Sequence, residues 1–337
     1  MQIAQGIRQA GSAVRRGLAR AGERLARIDP DTALWWAKRG AIAFAFLILL
    51  YYPVGMIVMN KVDDDLGFAP PQADLKEGES AAVAMAVALI EREVEVNGWV
   101  ANDPFFKPSA LLDNMPNYQT GILAALARFS FELTDQIGRT RGSSQSDPDL
   151  QEASGRLQSK GDIWIWNPST SLMPTASSEA LYLKAARSLT AYNERLARGE
   201  AVFEKRADNL LATLDRIALD IGSSSAVIDE RVQNGAGNFI DSKADDIFYN
   251  VKGQMYGYYM ILRALGEDFK PVIDARDLTT SYEQMLDSFA KAVALDPWVV
   301  VNGRPDGQFL PSHLAAQGFY VLRARTQLRE ITNILLK

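Results

Sequence analysis

The chain has 337 residues, of which 47% are hydrophobic, and a formal net charge of −5. It contains no cysteine, which excludes disulfide bonds, thiolate metal sites and cysteine nucleophiles. After residue 59, acidic residues outnumber basic ones. This argues against nucleic acid as a partner of that part of the chain, because phosphate binding requires a basic surface.

The first 33 residues are predicted to form a cytoplasmic basic arm. Apolar residues recur at helical spacing from Ile3 to Ile28, and arginines occupy much of the remaining surface. We expect an amphipathic helix that lies on the anionic inner leaflet of a membrane. The alternative is a disordered or partner-bound tail, because several glycines weaken this helix (Gly6, Gly11, Gly17 and Gly22).

Residues 34–60 are predicted to form one transmembrane helix. The stretch Gly40–Asn60 carries no charge, and as a helix it would reach about 31 Å, the thickness of a hydrocarbon core. The alternatives are a buried core helix and a cleaved signal peptide. A core helix would normally have a polar face, which this stretch lacks. A signal peptide would have a short basic region and a small-residue cleavage site, which are also missing.

The distribution of charge predicts the orientation of this helix. Lysine and arginine are concentrated before it, whereas Asp63, Asp64 and Asp65 follow it. The positive-inside rule therefore places the N-terminus in the cytoplasm and the C-terminal part across the membrane. In a bacterium, the membrane would be the inner membrane and the far side would be the periplasm.

After this helix, residues 61–79 are predicted to be a linker and residues 80–337 a periplasmic helical domain. Proline and aspartate disfavour helix in the linker. The later part contains repeated helical periodicity that starts near Ser80, with capping residues at Thr175 or Ser177, Ser242 with Asp245, Thr280 with Glu283, and Ser312. The predicted fold class is therefore all-α: a single transmembrane helix plus a helical bundle with one or two short β hairpins or strands.

The clearest predicted hairpin covers residues 298–310, where an Asn302-Gly303 turn signal separates two short stretches. A second extended stretch is expected at Ile163–Trp166. The longest helical periodicity runs over residues 175–221, with Gly199 as its one weak point. Its apolar stripe could be a coiled-coil seam, which would allow a homo-oligomer, or the packing face of a bundle helix. The Gly/Ser-rich segment from Gly222 to Gly237 is predicted to be a loop.

Signatures of a known chemistry are missing from the sequence. The single histidine, His313, follows a predicted N-cap and is expected to be a surface or packed residue. We predict no metal and no cofactor, and catalytic residues are unknown. The carboxylates Glu132, Asp245 and Asp246 are nominees for acid–base chemistry, although caps and solvated positions explain such residues equally well.

Aromatic loops supply the candidate ligand-binding residues. In these loops, tryptophans could stack on a sugar, with a carboxylate beside them; the candidates are Trp99, Asp103, Trp164, Trp166 and Trp298. The alternative is that the aromatic rings pin these loops onto the helices.

Four segments carry a resemblance to a known family: LYYPVGMIVMNKVDDD, GWVANDPFFKPSALLDNMPNYQTG, DIWIWNPSTSLMPTASSEALY and LDPWVVVNGRPDGQFLPSHLAAQGFY. Together they resemble an uncharacterised family of proteobacterial membrane proteins, domain of unknown function 2333, from about residue 35 to the end. The resemblance implies a bacterial inner-membrane protein with a periplasmic domain. It implies no activity, cofactor or catalytic residue.

Two functions are therefore carried forward. The first is a non-enzymatic scaffold or adaptor of the bacterial cell envelope, anchored in the lipid bilayer and bound to another envelope protein. The alternative is a periplasmic cell-wall glycan-binding protein or hydrolase that uses the tryptophan-lined loops and paired carboxylates.

Overall fold

A computed structural model describes residues 29–70, 75–138, 146–166, 172–235, 237 and 241–337. The predicted basic arm therefore lies almost wholly outside the described residues. The chain divides into two compact units, residues 1–55 and 56–337. The described part of the first unit is a single helix, and the second unit contains the remaining helices.

Helix α1 spans Pro30–Met59, and its last four residues fall in the second unit. The carboxylate of Asp29 accepts the Thr32 backbone N–H at 3.3 Å and so satisfies a free donor of the first turn. The most apolar 18-residue window of α1 has a mean hydropathy of 2.3, and none of that window is buried. Helix α1 is thus long and apolar enough to cross a membrane, and it is compatible with either an anchor or a signal sequence.

The second unit is helical throughout its described ordered elements, which confirms the all-α prediction. Its helices are α2 (Ala81–Glu91), α3 (Asn114–Glu132), α4 (Pro148–Leu157), α5 (Ser178–Ala197), α6 (Ala207–Gly235), α7 (Ser242–Asp268), α8 (Lys270–Ala275), α9 (Thr279–Val293) and α10 (His313–Leu335). Helices α2 and α3 each continue into one π-helical turn, Arg92–Val96 and Leu133–Ile137, and a short 3-10 helix covers Pro108–Leu111.

Helix α7 is the centre of this bundle and packs against α2, α3, α6 and α9. Its closest neighbour is α3, and glycines on both helices make the close approach possible. A Cβ atom on Gly253 would lie 1.9 Å from the Tyr118 carbonyl oxygen, and one on Gly121 would lie 2.0 Å from the Asn250 carbonyl oxygen. Glycine at these positions therefore fixes how α3 and α7 cross.

Local signals predicted several helix starts correctly. Ser80, Ser177 and Ser312 are N-caps whose hydroxyls accept backbone N–H groups of the first turn. Two predicted caps were wrong. Asp241, not Ser242, caps α7, since its carboxylate reaches the Ala244 N–H at 3.2 Å. Helix α9 begins at Thr279 without a side-chain cap, so the predicted Thr280–Glu283 capping box does not form.

The predicted β hairpins are not supported, because the described residues contain no strand. Over residues 298–310 the only β pairing is a single bridge between Asn302 and Ser312. The Asn302 side chain is buried and donates to Asp241 at 3.0 Å instead of forming a turn. Pro305 lacks the N–H that a ladder needs. At the second site, Ile165 accepts only one backbone bond, from Thr175.

The long periodic stretch is two helices rather than one. Helix α5 ends at Ala197, and Gly199 adopts a φ of +71°, a conformation that favours glycine. The chain then turns, and α6 begins at Ala207. The segment predicted to be a loop from Gly222 is helical as far as Gly235, because its buried face continues through Ser225 and Ile228. The apolar stripe of α6 packs inside the unit, mainly against α10.

Candidate functional site

Trp99 and Asp103 lie on the loop between α2 and α3. The Trp99 ring is buried: its indole N–H donates to the Gly161 carbonyl at 2.8 Å, and its edge meets the Tyr182 ring. The Asp103 carboxylate accepts bonds from Lys107, at 2.5 Å, and from the Ser109 hydroxyl. Both side chains therefore stabilise the loop itself.

Trp164 and Trp166 lie on the loop between α4 and α5. The Trp164 ring meets Phe106 edge-on at 6.1 Å, and Trp166 is half exposed. The Asn102 side-chain amide donates to the Ile163 carbonyl at 2.8 Å and so joins this loop to the one that carries Trp99.

Trp298 lies on a third loop, between α9 and α10, and its side chain is fully exposed. None of the described ring contacts joins it to another candidate tryptophan. The structure therefore brings four of the five predicted residues onto two adjoining loops and leaves Trp298 apart. His313 closes the base of the third loop, where its Nδ1 accepts the Val301 N–H at 2.9 Å and burial lowers its pKa.

A different region contains the densest buried polar contacts. Residues 61–68, hereafter the tether, follow α1 without helical structure and pack against α2, α3 and α7. The Asp63 carbonyl accepts the Tyr118 hydroxyl at 2.8 Å and the Arg92 guanidinium at 3.1 Å. The Asp65 carbonyl accepts the Tyr256 hydroxyl at 2.8 Å. The sequence assigned these residues to a linker, but their backbone is held by side chains of the helices.

Two further cations, Lys252 and Arg263, complete these contacts. The Lys252 ammonium binds the Asp64 carboxylate at 2.7 Å and the Leu295 carbonyl at 3.0 Å. Arg263 donates to the carbonyls of Leu66, at 2.5 Å, and of Phe68. We call the five side chains that hold the tether the tether clamp: Arg92, Tyr118, Lys252, Tyr256 and Arg263.

Two of the clamp cations are almost completely removed from water. The side chains of Arg92 and Lys252 are 5% and 1% exposed. Arg92 donates twice to the buried Glu93 carboxylate, at 2.9 and 2.7 Å, and once to the Tyr256 hydroxyl at 2.7 Å. Burial raises the pKa of Glu93, while Arg92 and neighbouring amides oppose that shift. Such charges are retained in an interior only when hydrogen bonds satisfy them, as they do here.

A second polar region lies on the other side of α7. A cleft of about 510 Å³, the polar cleft, is lined by residues that include Arg128, Phe131, Lys160, Tyr182, Asp220 and Gln254. At its base, the Asp220 carboxylate accepts the Gln254 amide at 2.8 Å and the hydroxyl of the fully buried Tyr258. Arg128 lies 3.7 Å from the other Asp220 oxygen. Burial, followed by the Asp220 charge, raises the pKa of Tyr258 far above its usual range.

Beside the polar cleft, two buried polar atoms have no hydrogen-bond partner among the described residues. They are Glu132 Oε1 and Ser130 Oγ. The nearest cation to Glu132 is Arg216, at 4.0 Å. Burial raises the pKa of Glu132, and Arg216 and Arg128 partly offset the shift. This region therefore contains polar groups whose bonding capacity is not used.

The nominated Asp245 and Asp246 belong to an acidic cluster with Asp113. The Asn117 amide donates to Asp246 at 2.7 Å. The Asn114 amide, oriented with its nitrogen toward the carboxylates, donates to Asp113 and Asp245. Burial, followed by Asp113 and Asp246, raises the pKa of Asp245 to about 6. Within the described ranges, no group of three or more His, Asp or Glu side chains is placed to hold a metal ion.

The sequence analysis did not predict the tether clamp, although the sequence contains a pattern that could have indicated it. Arg92 follows a strongly apolar helix, and Lys252 and Arg263 interrupt the aromatic face of α7. Cations at such positions need partners, and the acidic triplet at Asp63–Asp65 offers them. The pairing crosses up to 197 residues, so no local pattern connects the two.

Comparison with known proteins gives one match. A model of the family described as "Uncharacterized protein conserved in bacteria (DUF2333)" matches residues 71–337. This range covers all helices from α2 to α10 and begins just after the tether. No curated protein and no solved structure matches the chain.

Proposed function

Because the chain belongs to the uncharacterised bacterial family DUF2333, we propose a function that builds on its apolar helix. The protein is a single-pass inner-membrane protein whose helical domain acts in the periplasm as a scaffold or adaptor for another envelope protein. Helix α1 spans the bilayer, the basic arm lies on the anionic inner leaflet, and the domain presents the partner-binding surface.

The orientation is supported by charge. Basic residues precede α1, and Asp63, Asp64 and Asp65 follow it. This arrangement favours a cytoplasmic N-terminus. A reporter enzyme fused after Lys337 that is active only in the periplasm is the expected result. Activity restricted to the cytoplasm would overturn the orientation.

The observation that carries the proposal is the tether clamp. The tether begins two residues after α1 ends, and cations from α2 and α7 hold it against the domain. A flexible linker would separate the domain from α1 along the chain, whereas only Asn60 lies between Met59 and the clamped tether. A short connection suits a protein that positions a partner near the membrane and is not needed for a freely diffusing binding module.

Cross-linking in native membranes, followed by purification of the full-length protein and mass spectrometry, tests the adaptor function. We expect one envelope protein to be recovered in stoichiometric amount. Lys252→Met, which loosens the tether, should lower its recovery. Lys291→Met is the matched control, since it removes only a surface pair with Asp287. Recovery of the protein alone would overturn the adaptor function.

The polar cleft favours a second candidate, binding of a small polar ligand such as a cell-wall glycan fragment. Aromatic and cationic side chains line the same cleft, as in many sugar and anion sites. The tryptophan-based glycan site remains a prediction, with Trp166 and Trp298 as its exposed members. Thermal stabilisation of the full-length protein by muropeptides, lost in Arg128→Ala but kept in Trp298→Ala, would favour the cleft over the tryptophans.

A further inference from the structure

Large exposed apolar side chains lie on several loops of the second unit, and two of these loops are anchored beside the tether. The loop of residues 97–113 carries Phe105, Phe106 and Leu111, and Phe105 is 83% exposed. The loop of residues 295–312 carries Trp298, Val299 and Phe309, and Phe309 is 93% exposed. We call them the first and second apolar loops. Exposed apolar clusters of this kind mark contact with another apolar phase or partner.

Both ends of the first apolar loop lie beside the start of the tether. The Lys61 backbone N–H donates to the Met115 sulfur at 3.2 Å, and the Lys61 ammonium donates to the Val96 carbonyl at 3.4 Å. Val96 directly precedes the loop, and Met115 follows it by two residues. The loop therefore leaves the bundle and returns to it at the point where the chain leaves α1.

The second apolar loop also starts at the tether. The Lys252 ammonium that binds Asp64 at 2.7 Å also binds the Leu295 carbonyl at 3.0 Å. Asp296, the next residue, lies 3.6 Å from the same ammonium. Trp298 is only two residues further along the chain. One buried cation thus joins the tether to the base of this loop.

These contacts tie both loops to the residues that directly follow α1, so chain length limits how far each loop can lie from the end of that helix. Lys61 lies two residues after the end of α1, so the helix end is at most about 7 Å away. Leu111 and Trp298 lie four and three residues from anchored positions at Met115 and Leu295, or at most about 14 Å. The headgroup region on each side of a hydrocarbon core is about 5–8 Å deep.

We propose that the two apolar loops insert their aromatic and aliphatic side chains into the interface of the bilayer that α1 crosses. This inference rests on the proposed membrane anchoring. Tryptophan and other aromatic rings prefer the headgroup level of a membrane. The two loops contain four aspartates against Lys107 and Arg304, a net charge of −2, which favours a zwitterionic leaflet over an anionic one that would repel them.

The chain offers a clean test, since it has no cysteine. Single-cysteine variants of the full-length protein can carry an environment-sensitive fluorophore in phosphatidylcholine vesicles that contain lipid-attached quenchers. Phe105→Cys and Trp298→Cys report on the loops. Leu336→Cys is the matched exposed control, because α10 runs 23 residues, about 34 Å, away from Ser312 at the second loop. Phe46→Cys within α1 reports on anchoring.

We expect lipid-attached quenchers to lower the emission at positions 105, 298 and 46, and to leave position 336 unchanged. Replacing half of the phosphatidylcholine with anionic lipid should reduce the quenching of the fluorophore at positions 105 and 298, but not at position 46. Quenching at 46 without quenching at 105 and 298 would overturn the lipid contact while anchoring stands. No quenching at 46 would overturn the anchoring itself. Protection of 105 and 298 in native membranes, but not in pure lipid, would assign the loops to a protein partner instead.

Discussion

Helix α7 carries two buried polar clusters on opposite faces, and the clusters differ in how well they are satisfied. Lys252 and Tyr256 face the tether clamp, whereas Gln254 and Tyr258, two positions on, face the polar cleft. Each clamp cation binds carboxylates or carbonyls of the chain. Beside the cleft, in contrast, Glu132 Oε1 has no hydrogen bond within the described residues.

This difference separates a structural role from a binding role. A buried charge with all its bonds made fixes the segments that it joins, because removing either partner leaves the other uncompensated. A buried polar group that makes no hydrogen bond lowers the stability of the folded protein. That cost is recovered only when a ligand supplies the missing hydrogen bond. The tether clamp therefore has a structural role, whereas the polar cleft is the region that can bind a ligand.

The substitution with the largest expected effect disrupts the crossing of α3 and α7, on which both clusters depend. Gly253→Ala would place a Cβ atom 1.9 Å from the Tyr118 carbonyl oxygen, so α3 and α7 must separate. We expect the free energy of unfolding to fall by more than about 4 kcal/mol, since backbone cannot move aside as a side chain can. Chemical denaturation of the detergent-solubilised protein measures this.

Gly155→Ala is the matched control for that variant. It also lies within a helix, but nothing is within 4 Å of its Cβ position. Alanine there should raise the free energy of unfolding by up to about 1 kcal/mol. Equal stability of the two variants would contradict the close helix crossing.

The substitution with the next largest expected effect disrupts the tether clamp alone. Arg92→Met leaves Glu93 buried without its guanidinium and removes donors to Tyr256 and the Asp63 carbonyl. We expect a loss of about 3 kcal/mol, typical of a broken buried pair. Hydrogen exchange should also quicken at residues 61–68. Arg206→Met, at an exposed pair with Asp208, should leave stability nearly unchanged because water screens the pair. Faster exchange in both variants would refute the clamp.

Removal of a buried charge beside the polar cleft should have a smaller effect on stability. Glu132→Gln removes a buried charge whose nearest cation is Arg216, at 4.0 Å, so at pH 7 we expect a change within about 1 kcal/mol of zero. Burial raises the folded pKa of Glu132. The stability of the natural protein relative to this variant should therefore fall as the pH rises from 4.5 through the folded value.

Glu283→Gln, at a solvent-exposed position of α9, is the control for the pH series. It should show no such trend. A loss from Glu132→Gln as large as that from Arg92→Met would erase the distinction between the two clusters.

Features that depend on residues close together in the sequence could be predicted, whereas contacts between distant residues could not. Helix α1 is readable from composition alone, and the caps Ser80, Ser177 and Ser312 act within three residues. The tether contacts join Asp63–Phe68 to partners 29 to 197 residues away, so three aspartates after a membrane helix look like any polar linker.

The same limit applies to the candidate site. Nothing beside Trp99 in the sequence shows that its indole is enclosed by Gly161 and Tyr182, whereas Trp298, of the same residue type, is fully exposed. Gly199 was a local signal, but the apolar stripe continues across it and gives no sign that residues 198–206 leave the helix.

The smallest expected effect concerns the acidic cluster at the start of α7. Burial and the charges of Asp113 and Asp246 raise the pKa of Asp245 to about 6. The folded protein therefore holds this proton more tightly than the unfolded chain, so the stability of the natural protein relative to Asp245→Asn should decline as the pH rises from about 4 to above 6. At pH 7, Asp245→Asn should be slightly more stable, by less than about 1 kcal/mol because water screens the group. Thermal unfolding across this range measures it, with Asp229→Asn on the exposed face of α6 as the control. A rise in the stability of the natural protein relative to Asp245→Asn over the same window would show that the surroundings of Asp245 do not raise its pKa.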